Sequence, residues 1–256
     1  MPYLLSHQHY LAYNYLASDI PTPKGIVLIV PGLSMLRGHY IHLSHTLLAM
    51  GYHVYVYDPR HFGQSSGQPK NHLDLAGQVQ DIKTFTAYIK TQHPNLPLII
   101  WGHSLGASIT LLANPAAAHW ILQTPYLDGQ TSLKHLPKKR FEYQKNILLA
   151  KPNGGGLFQD PKAYPFFKKN PNWQNSLTAT SLKSLYQLSV LDKQPSTPIT
   201  ILAAKQDAIT PIALCRTWQS KLKQASLIEL PGGHFDEYGI HQSIKSFFSA
   251  SQLNVW

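Results

Sequence analysis

The pattern Gly-x-Ser-x-Gly occurs twice in the sequence, as GQSSG at 63–67 and as GHSLG at 102–106. This pattern is typical of a nucleophilic serine on a tight turn, where its hydroxyl can attack a carbonyl carbon. The sequence therefore offers two candidate nucleophiles, Ser65 and Ser104. Because the pattern alone is a weak signal, the elements around each serine must decide between them.

The surroundings of Ser104 suit a nucleophile. The serine follows an apolar, β-rich run, LIIW, and precedes ASITLLA, which has helical character, so we expect a strand-to-helix turn at the carboxyl end of a strand. Gly102 and Gly106 leave room for neighbouring backbone at such a turn. The N-terminus of the following helix points backbone N–H groups at the reacting centre. These features predict that Ser104 is the nucleophile.

The surroundings of Ser65 are different. The strand-like run YHVYVYD ends seven residues earlier, and Gln68-Pro69 follows at the point where a helix should begin. Gly, Gln, Ser and Pro together are typical of a surface loop. We therefore expect Ser65 to be a turn residue that lines the site rather than a nucleophile.

A base and an acid are predicted at two other strand ends. His234 lies in the loop PGGHFDEYG between the last predicted strand and the last predicted helix, and Asp207 directly follows the run ITILAAKQ. The chain order Ser, Asp, His is that of known serine hydrolase triads, so we expect Ser104, Asp207 and His234 to be catalytic. The alternative is that Asp207 caps a helix that begins near Pro211 and that His234 is only a turn residue.

The elements that would position these residues alternate between strands and helices. Six runs are predicted as strands, at 25–32, 52–58, 96–102, 119–125, 197–207 and 225–233. The intervening segments have helical periodicity, with an amphipathic helix predicted at 211–223, and a last helix is predicted at about 239–249. Such alternation is typical of an α/β domain with a mostly parallel sheet and helices on both faces. Ligands bind at the carboxyl ends of the strands in such sheets.

The alternation stops between Pro125 and Val190. This stretch is rich in Pro, Gly, aromatic residues and Lys, with helices predicted at 139–150 and 176–188. We therefore divide the chain into a first core part at 1–124, an inserted lid at 125–190 and a second core part at 191–256. The insertion carries ten Lys and Arg against three Asp and Glu, so it holds most of the net charge of the chain, which is +10.

Composition narrows the class of protein. A hydrophobic fraction of 43% is that of a globular protein, and the single Cys215 cannot form an internal disulfide. The first residues lack the features of a secretory signal, and no apolar run is long enough to span a membrane, which predicts a cytoplasmic protein. His39, His42 and His45 have no acidic or cysteine partner nearby in the sequence, so we expect a solvated helix face and neither a metal nor another cofactor.

The stretch VLIVPGLSMLRGHYIHLSHTLLAMGYHVYVYDPRHFGQSSG resembles the α/β-hydrolase superfamily, in particular its monoacylglycerol lipase and lysophospholipase group, which is serine aminopeptidase S33-like. The resemblance extends through nearly the whole chain outside the insertion. It implies the α/β-hydrolase fold with a lid, and it implies that the turn holding Ser65 is structural. It also implies that the backbone N–H groups of Leu33 and Leu105 form the oxyanion hole. The sequence departs from the family at Pro31-Gly32, where the family usually has His-Gly.

Three functions follow as hypotheses. The first is a serine hydrolase for carboxylic esters of single-chain lipids, a lysophospholipid or a monoacylglycerol, whose basic lid could also contact an anionic membrane peripherally through Leu157, Phe158, Phe166, Phe167 and Trp173. The second is a soluble small-ester hydrolase, a thioesterase or an aminopeptidase. The third is a non-catalytic binding protein on the same scaffold or, given the charge, a nucleic-acid binder. No nucleic-acid motif is present, so we expect no nucleic-acid partner.

Overall fold

The computed structural model describes residues 2–136, 146–154, 156–158 and 160–235. Its strands are β1 (Tyr3–Ser6), β2 (His9–Leu16), β3 (Gly25–Val30), β4 (Tyr52–Tyr57), β5 (Leu98–His103), β6 (His119–Gln123), β7 (Asn146–Ile147), β8 (Leu177–Thr178), β9 (Ile199–Ala204) and β10 (Ala225–Leu230). Its helices are α1 (Ile41–Ala49), α2 (Leu75–Gln92), α3 (Leu105–Ala113), α4 (Gly129–Ser132), α5 (Ala163–Lys168), α6 (Ala179–Gln187) and α7 (Ile212–Gln219).

Eight strands form one sheet in the order β1-β2-β4-β3-β5-β6-β9-β10. The six strands from β4 to β10 in this order are parallel, and β1 and β2 add an antiparallel hairpin at the β4 edge. All residues of β3 and β5 are buried, which explains their nearly continuous apolar sequences. This sheet confirms the predicted α/β-hydrolase fold class.

The chain reverses its direction across the sheet after β4, which creates the crevice for a site. From β3 it moves outward to β4, and it then passes back over β3 to β5. Right-handed crossovers in opposite directions place α1 on one face and the contacting pair α2 and α3 on the other, as predicted. The carboxyl ends of β5, β9 and β10 therefore share one edge of the sheet, with Ser104, Asp207 and His234 just beyond them.

The segment between β6 and β9 leaves the sheet, and backbone hydrogen bonds join its two ends to each other at its base. The Gly129 N–H donates to the Leu188 carbonyl at 2.7 Å, and the Val190 N–H donates to that of Leu127 at 2.9 Å. The described residues between these bonds form α4 to α6 and the small antiparallel pair of β7 with β8. The closed base supports a separate inserted unit, although the boundaries 125–190 stay a prediction.

Several predicted helix limits differ from the structure. The predicted helix at 139–150 is wrong at its C-terminal end, because residues 146–147 pair with β8; its first residues, 139–145, lie outside the described residues. The helix predicted from Ser176 begins only at Ala179, because Thr178 is extended and its hydroxyl accepts from the Ser181 N–H. The helix predicted to reach Lys223 ends at Gln219. The last predicted helix, at 239–249, also lies outside the described residues.

None of the helices in the described part of the chain combines the length and apolar character that a membrane span needs.

Candidate active site

Ser104 lies on a strained turn between β5 and α3. Its backbone angles are φ 51° and ψ −116°, a region that costs a non-glycine residue about 1–3 kcal/mol. The turn can form because its neighbours lack side chains: a Cβ atom on Gly106 would overlap the Val30 carbonyl oxygen, and one on Gly102 would lie 2.8 Å from the Ala107 Cα atom. The turn thus presents the Ser104 side chain at the carboxyl edge of the sheet, as the sequence predicts.

His234 joins the other two candidate residues. Its Nε2 atom lies 2.9 Å from Ser104 Oγ, and its Nδ1 atom lies 2.7 Å from Asp207 Oδ2. The imidazole is 2% exposed, so water barely competes for these hydrogen bonds. The structure therefore brings the three predicted residues together in one hydrogen-bonded chain.

Asp207 has both of the roles that the sequence allows, because it closes the turn before a helix and also binds the imidazole of His234. Its Oδ1 atom accepts the N–H groups of Ile209 and Thr210, each at 2.8 Å, and so closes the turn before α7. Its Oδ2 atom accepts from His234 and, at 2.6 Å, from the Thr210 hydroxyl. Burial alone would raise the pKa of this carboxyl, but the charge of His234 and the hydrogen bonds from His234 and Thr210 lower it overall. The carboxylate is thus held ionised beside the imidazole.

Thr210 is a further residue of the site, not among the predicted ones, and its hydroxyl and its N–H group both contact the Asp207 carboxylate. A signal for it exists, because a Thr three residues after an Asp can close a local side-chain turn. The spacing alone does not show that the same carboxylate also holds an imidazole, since His234 reaches it only through the fold.

The two predicted oxyanion donors adjoin Ser104. Leu105 is the first residue of α3, a position where the backbone N–H has no partner within the helix. Leu33 follows Gly32, where an added Cβ atom would lie 3.2 Å from Ser104 Cβ. Both leucine side chains line the cavity next to the serine hydroxyl. Donation by these two N–H groups to an oxyanion stays a prediction.

The cavity beside Ser104 is small and apolar. Its volume is about 20 Å³, enough for about one water molecule. It is lined by Leu33, Ser104, Leu105, Tyr126, Leu133, Leu157, Phe158, Leu185 and Ile209. The Tyr126 hydroxyl donates to the Leu185 carbonyl, so Ser104 is the one hydroxyl of this lining without a backbone acceptor in the described residues. The lining is apolar and so disfavours a charged group, but at this volume an acyl chain could enter only if the lining side chains moved apart.

Five rings, which we call the aromatic layer, cover this region: Phe158, Phe166, Phe167, Trp173 and Phe235. The Phe235 ring lies 5.0 Å from that of His234, and the Trp173 indole N–H donates to the Ser34 hydroxyl at 3.0 Å. From the sequence we expect Leu157 and the four lid rings to contact a membrane, but in this structure they pack inward. Leu157, Phe158, Phe166 and Phe167 are buried, because they pack over the site and on each other, and Trp173 is half-buried.

Ser65 is buried in the turn after β4. Its hydroxyl donates to the Asp58 carbonyl at 2.5 Å and accepts the Ala12 N–H at 2.9 Å. These bonds join the turn to β2, so the hydroxyl has a structural role. The expectation that Ser65 lines the site is not met at the cavity beside Ser104, because this side chain faces the β2 edge.

His39 is not on a solvated face, contrary to expectation. Its ring is half-buried and stacks on Phe166 at 5.3 Å, because the inserted segment packs over the turn before α1. His42 and His45 are exposed, as expected. In the described part of the chain, His, Cys, Asp and Glu side chains form no group of three that could hold a metal ion.

Comparison with known proteins places this geometry in a family. A family model described as serine aminopeptidase, S33 matches residues 21–233, a range that includes Ser104 and Asp207 and ends one residue before His234. The chain belongs to this family. Solved structures agree on the fold: a soluble variant of monoglyceride lipase from Saccharomyces cerevisiae superposes with a TM-score of 0.77 at 16% identity, with 97% of this chain and 94% of that chain covered. The α/β hydrolase GrgF from Penicillium gives 0.70 at 16% identity, with 94% and 96% covered.

Curated relatives include proteins named as lipid hydrolases. A monoacylglycerol lipase of Mycolicibacterium smegmatis is 36% identical over 87 residues, which cover 34% of this chain and 31% of the relative. The lysophosphatidylserine lipase ABHD12 of Xenopus tropicalis is 26% identical over 204 residues, which cover 76% of this chain and 46% of the relative. The matches thus span between about a third and a half of the length of these relatives.

Proposed function

We propose that this protein is a serine hydrolase that cleaves carboxylic esters of single-chain lipids, either a lysophospholipid or a monoacylglycerol. The observation that carries the proposal is the hydrogen-bonded chain from Ser104 Oγ through His234 to Asp207, with distances of 2.9 and 2.7 Å. Such an arrangement activates a hydroxyl, because the imidazole accepts its proton and the carboxylate orients and stabilises the imidazolium that forms.

The reaction would proceed in two stages. Ser104 Oγ attacks the ester carbonyl carbon as His234 Nε2 takes the hydroxyl proton, and the N–H groups of Leu33 and Leu105 donate to the oxyanion. Collapse of this intermediate breaks the bond to the alcohol oxygen, which receives the proton from His234, and leaves an acyl group on Ser104. A water molecule, deprotonated by His234, then releases the fatty acid and restores the serine.

Three features support an ester of a lipid. The cavity beside Ser104 is lined by apolar side chains, and no carboxylate is among its described lining residues. An aminopeptidase would need an acidic group to bind the substrate ammonium, so the lining disfavours that activity despite the family description. Relatives named as monoacylglycerol and lysophosphatidylserine lipases add support from similarity. A small-ester hydrolase or a thioesterase of the same fold would share this chemistry.

Labelling with a fluorophosphonate and a substrate panel test the proposal. We expect the wild-type protein to be labelled and Ser104→Ala not to be. Among a lysophospholipid, a monoacylglycerol, a short-chain ester, an acyl thioester and an aminoacyl amide, we expect the highest kcat/KM for one of the two lipids. Absence of labelling in folded wild-type protein would favour a non-catalytic binding protein, and preference for the short ester, thioester or amide would refute the lipid assignment.

We further propose peripheral contact of the insertion with anionic membranes. Six of its lysines are exposed, namely Lys134, Lys151, Lys162, Lys168, Lys169 and Lys183, whereas its described acids are only Asp128 and the buried Asp160. Near an anionic surface each such cation contributes about 1 kcal/mol. Among the described residues of this segment, Leu148, which is 49% exposed, is the large apolar side chain that can reach lipid without a rearrangement.

Vesicle sedimentation tests this contact. We expect binding to vesicles that contain phosphatidylserine at low salt and release at high salt, because a Debye length of about 10 Å at 0.1 M salt shortens as salt rises. Lys168→Gln with Lys169→Gln should weaken binding, and Lys221→Gln with Lys223→Gln, outside the insertion, is the matched control. Equal binding to neutral vesicles, or equal loss in both double variants, would contradict the proposal.

A further inference from the structure

A buried hydrogen-bond network lies under the loop that carries the first proposed oxyanion donor. We call residues 31–35 the oxyanion loop. The Gly32 N–H donates to the Tyr40 hydroxyl at 2.9 Å, and the Gly32 carbonyl accepts the Met35 N–H at 3.0 Å. The Tyr40 hydroxyl also lies 3.0 Å from His103 Nδ1. Gly32 is thus held on both sides, one residue before Leu33.

His103 gives this network a direct link to the nucleophile. It is the residue before Ser104, it is 3% exposed, and its ring lies 5.5 Å from that of His234. Burial and the nearby His234 lower its pKa to about 3, so the ring is neutral near pH 7. Its Nε2 atom has no hydrogen-bond partner among the residues that the structure describes, which costs free energy in a buried polar group. Within the described residues, the hydrogen bond of this imidazole is therefore the one between Nδ1 and the Tyr40 hydroxyl.

The sequence of the loop explains why such a support is needed. Pro31 has no N–H group, so Gly32 provides the first backbone donor after β3. Ser34 follows with φ 58°, a left-handed conformation that is unfavourable for a serine. A loop with a missing donor and a strained residue needs contacts from outside to keep one geometry. Tyr40 supplies such a contact from the end of the 3-10 turn at Arg37–Tyr40.

We propose that Tyr40 and His103 are positioning residues, which hold the Gly32 N–H and thereby fix the Leu33 N–H where the oxyanion forms beside Ser104. This inference rests on the proposed hydrolase function and concerns residues to which the triad assigns no role. Tyr40 and His103 act through the loop and do not touch the reacting atoms. Because an oxyanion exists only in the tetrahedral state, loss of the support should affect that state and not substrate binding.

The test compares Tyr40→Phe with the wild-type protein in two measurements. Complete loss of an oxyanion donor lowers kcat about 10²–10³-fold, so displacement of one should lower it about tenfold to hundredfold. KM should change less than about threefold, since ground-state contacts remain. Ser104 adds to the carbonyl carbon of a trifluoromethyl ketone and forms a tetrahedral adduct that resembles the reaction intermediate. We expect the affinity of the variant for this ketone to fall by the same factor as kcat. The affinity for a long-chain alcohol, which carries no oxyanion to accept these N–H groups, should not change.

Two sets of variants separate positioning from general destabilisation. Tyr55→Phe is the control, because it removes a partly buried bond between a tyrosine hydroxyl and a histidine, Tyr55 to His93 at 3.0 Å, where His93 follows α2 on the amino side of β5. His103→Leu should reproduce the kcat loss of Tyr40→Phe. His103→Asn keeps a polar atom near the Nδ1 position and should recover most of that loss.

The inference fails if Tyr40→Phe keeps the wild-type kcat, if ketone and alcohol affinities fall together, or if Tyr55→Phe loses as much activity. It also fails if His103→Asn and His103→Leu are equally impaired. This second comparison tests the inference even when Tyr40→Phe does not fold. In each of these cases the proposed function still stands if the wild-type protein reacts with a fluorophosphonate at Ser104. A folded wild-type protein that does not react refutes the proposed function and, with it, this inference.

Discussion

Ser104 and His234 are 130 residues apart in the chain, and their Oγ and Nε2 atoms lie 2.9 Å apart in the fold. Four parallel strands make this contact possible, because β5, β6, β9 and β10 are successive neighbours and all end at one edge. The loops after β5 and β10 are thus brought together by the sheet rather than by local sequence. The contact gives the proposed mechanism its base.

The two Gly-x-Ser-x-Gly serines should respond oppositely to the same substitution. Ser65→Ala leaves the buried Ala12 N–H and Asp58 carbonyl without partners and should lower the free energy of unfolding by about 1–3 kcal/mol. Fluorophosphonate labelling should persist. Ser104→Ala should abolish labelling and leave stability near that of the wild type. Urea denaturation and gel-based labelling of both variants check this, and loss of labelling in folded Ser65→Ala would contradict the assignment.

Asp207→Asn should lower kcat by about 10³–10⁴-fold with little change in KM. An amide can neither stabilise the imidazolium nor favour the tautomer with a proton on Nδ1. Steady-state hydrolysis of the preferred ester checks this, with Asp192→Asn, whose side chain is 76% exposed, as the control. A reduction of less than about tenfold would mean that Asp207 serves only as a cap for the turn before α7.

Stability should fall as the pH falls from about 6.5. Burial lowers the pKa of His103 to about 3 and that of His119 to about 4, so the unfolded state, with a histidine pKa of about 6.5, binds protons that the folded state excludes. Below pH 6.5, each group then lowers the free energy of unfolding by up to about 1.4 kcal/mol per pH unit, so stability is greatest above pH 6.5. The lowered pKa values of His39, His53, His61 and His93 add in the same direction.

Urea denaturation at pH 7.5 and pH 5 measures this slope. His119→Gln removes one titrating group and keeps a partner for the Thr200 hydroxyl, which lies 2.9 Å from His119 Nε2. In this variant we expect the free energy of unfolding to depend less steeply on pH, by the contribution of about one titrating group. His42→Gln, at an exposed position, is the control, and an unchanged slope in His119→Gln would refute the prediction.

Arg60→Met should be strongly destabilising. Arg60 pairs with Asp81 at 2.6 Å and with Asp74 at 2.9 Å, and the Asp81 side chain is fully buried. Removal of the guanidinium leaves a buried carboxylate without its charge partner, which costs about 3–5 kcal/mol. Arg216→Met breaks an exposed pair with Glu229 and should change the unfolding transition far less. Similar shifts in chemical denaturation for both variants would contradict the interpretation of Arg60.

The inserted segment shows where local patterns mislead. Its aromatic residues and lysines are adjacent in the sequence, so a single membrane-facing surface is a natural expectation. In the structure the rings turn inward over His234 and the lysines turn outward. Helix limits fail there for a related reason, because Asn146–Ile147 is a strand only through its pairing with a segment 30 residues away.

The sequence by itself determined the α/β fold class, the strand-to-helix turn at Ser104 and the choice of Asp207 and His234, because buried parallel strands and glycine-lined turns leave strong local patterns. Only the tertiary structure decided that these three side chains meet within hydrogen-bond distance. It also decided that Thr210 supports the carboxylate, that Ser65 faces β2, and that Tyr40 reaches both Gly32 and His103. Such contacts depend on the relative placement of loops from different strands, and that placement follows from strand order, register and packing over the whole sheet.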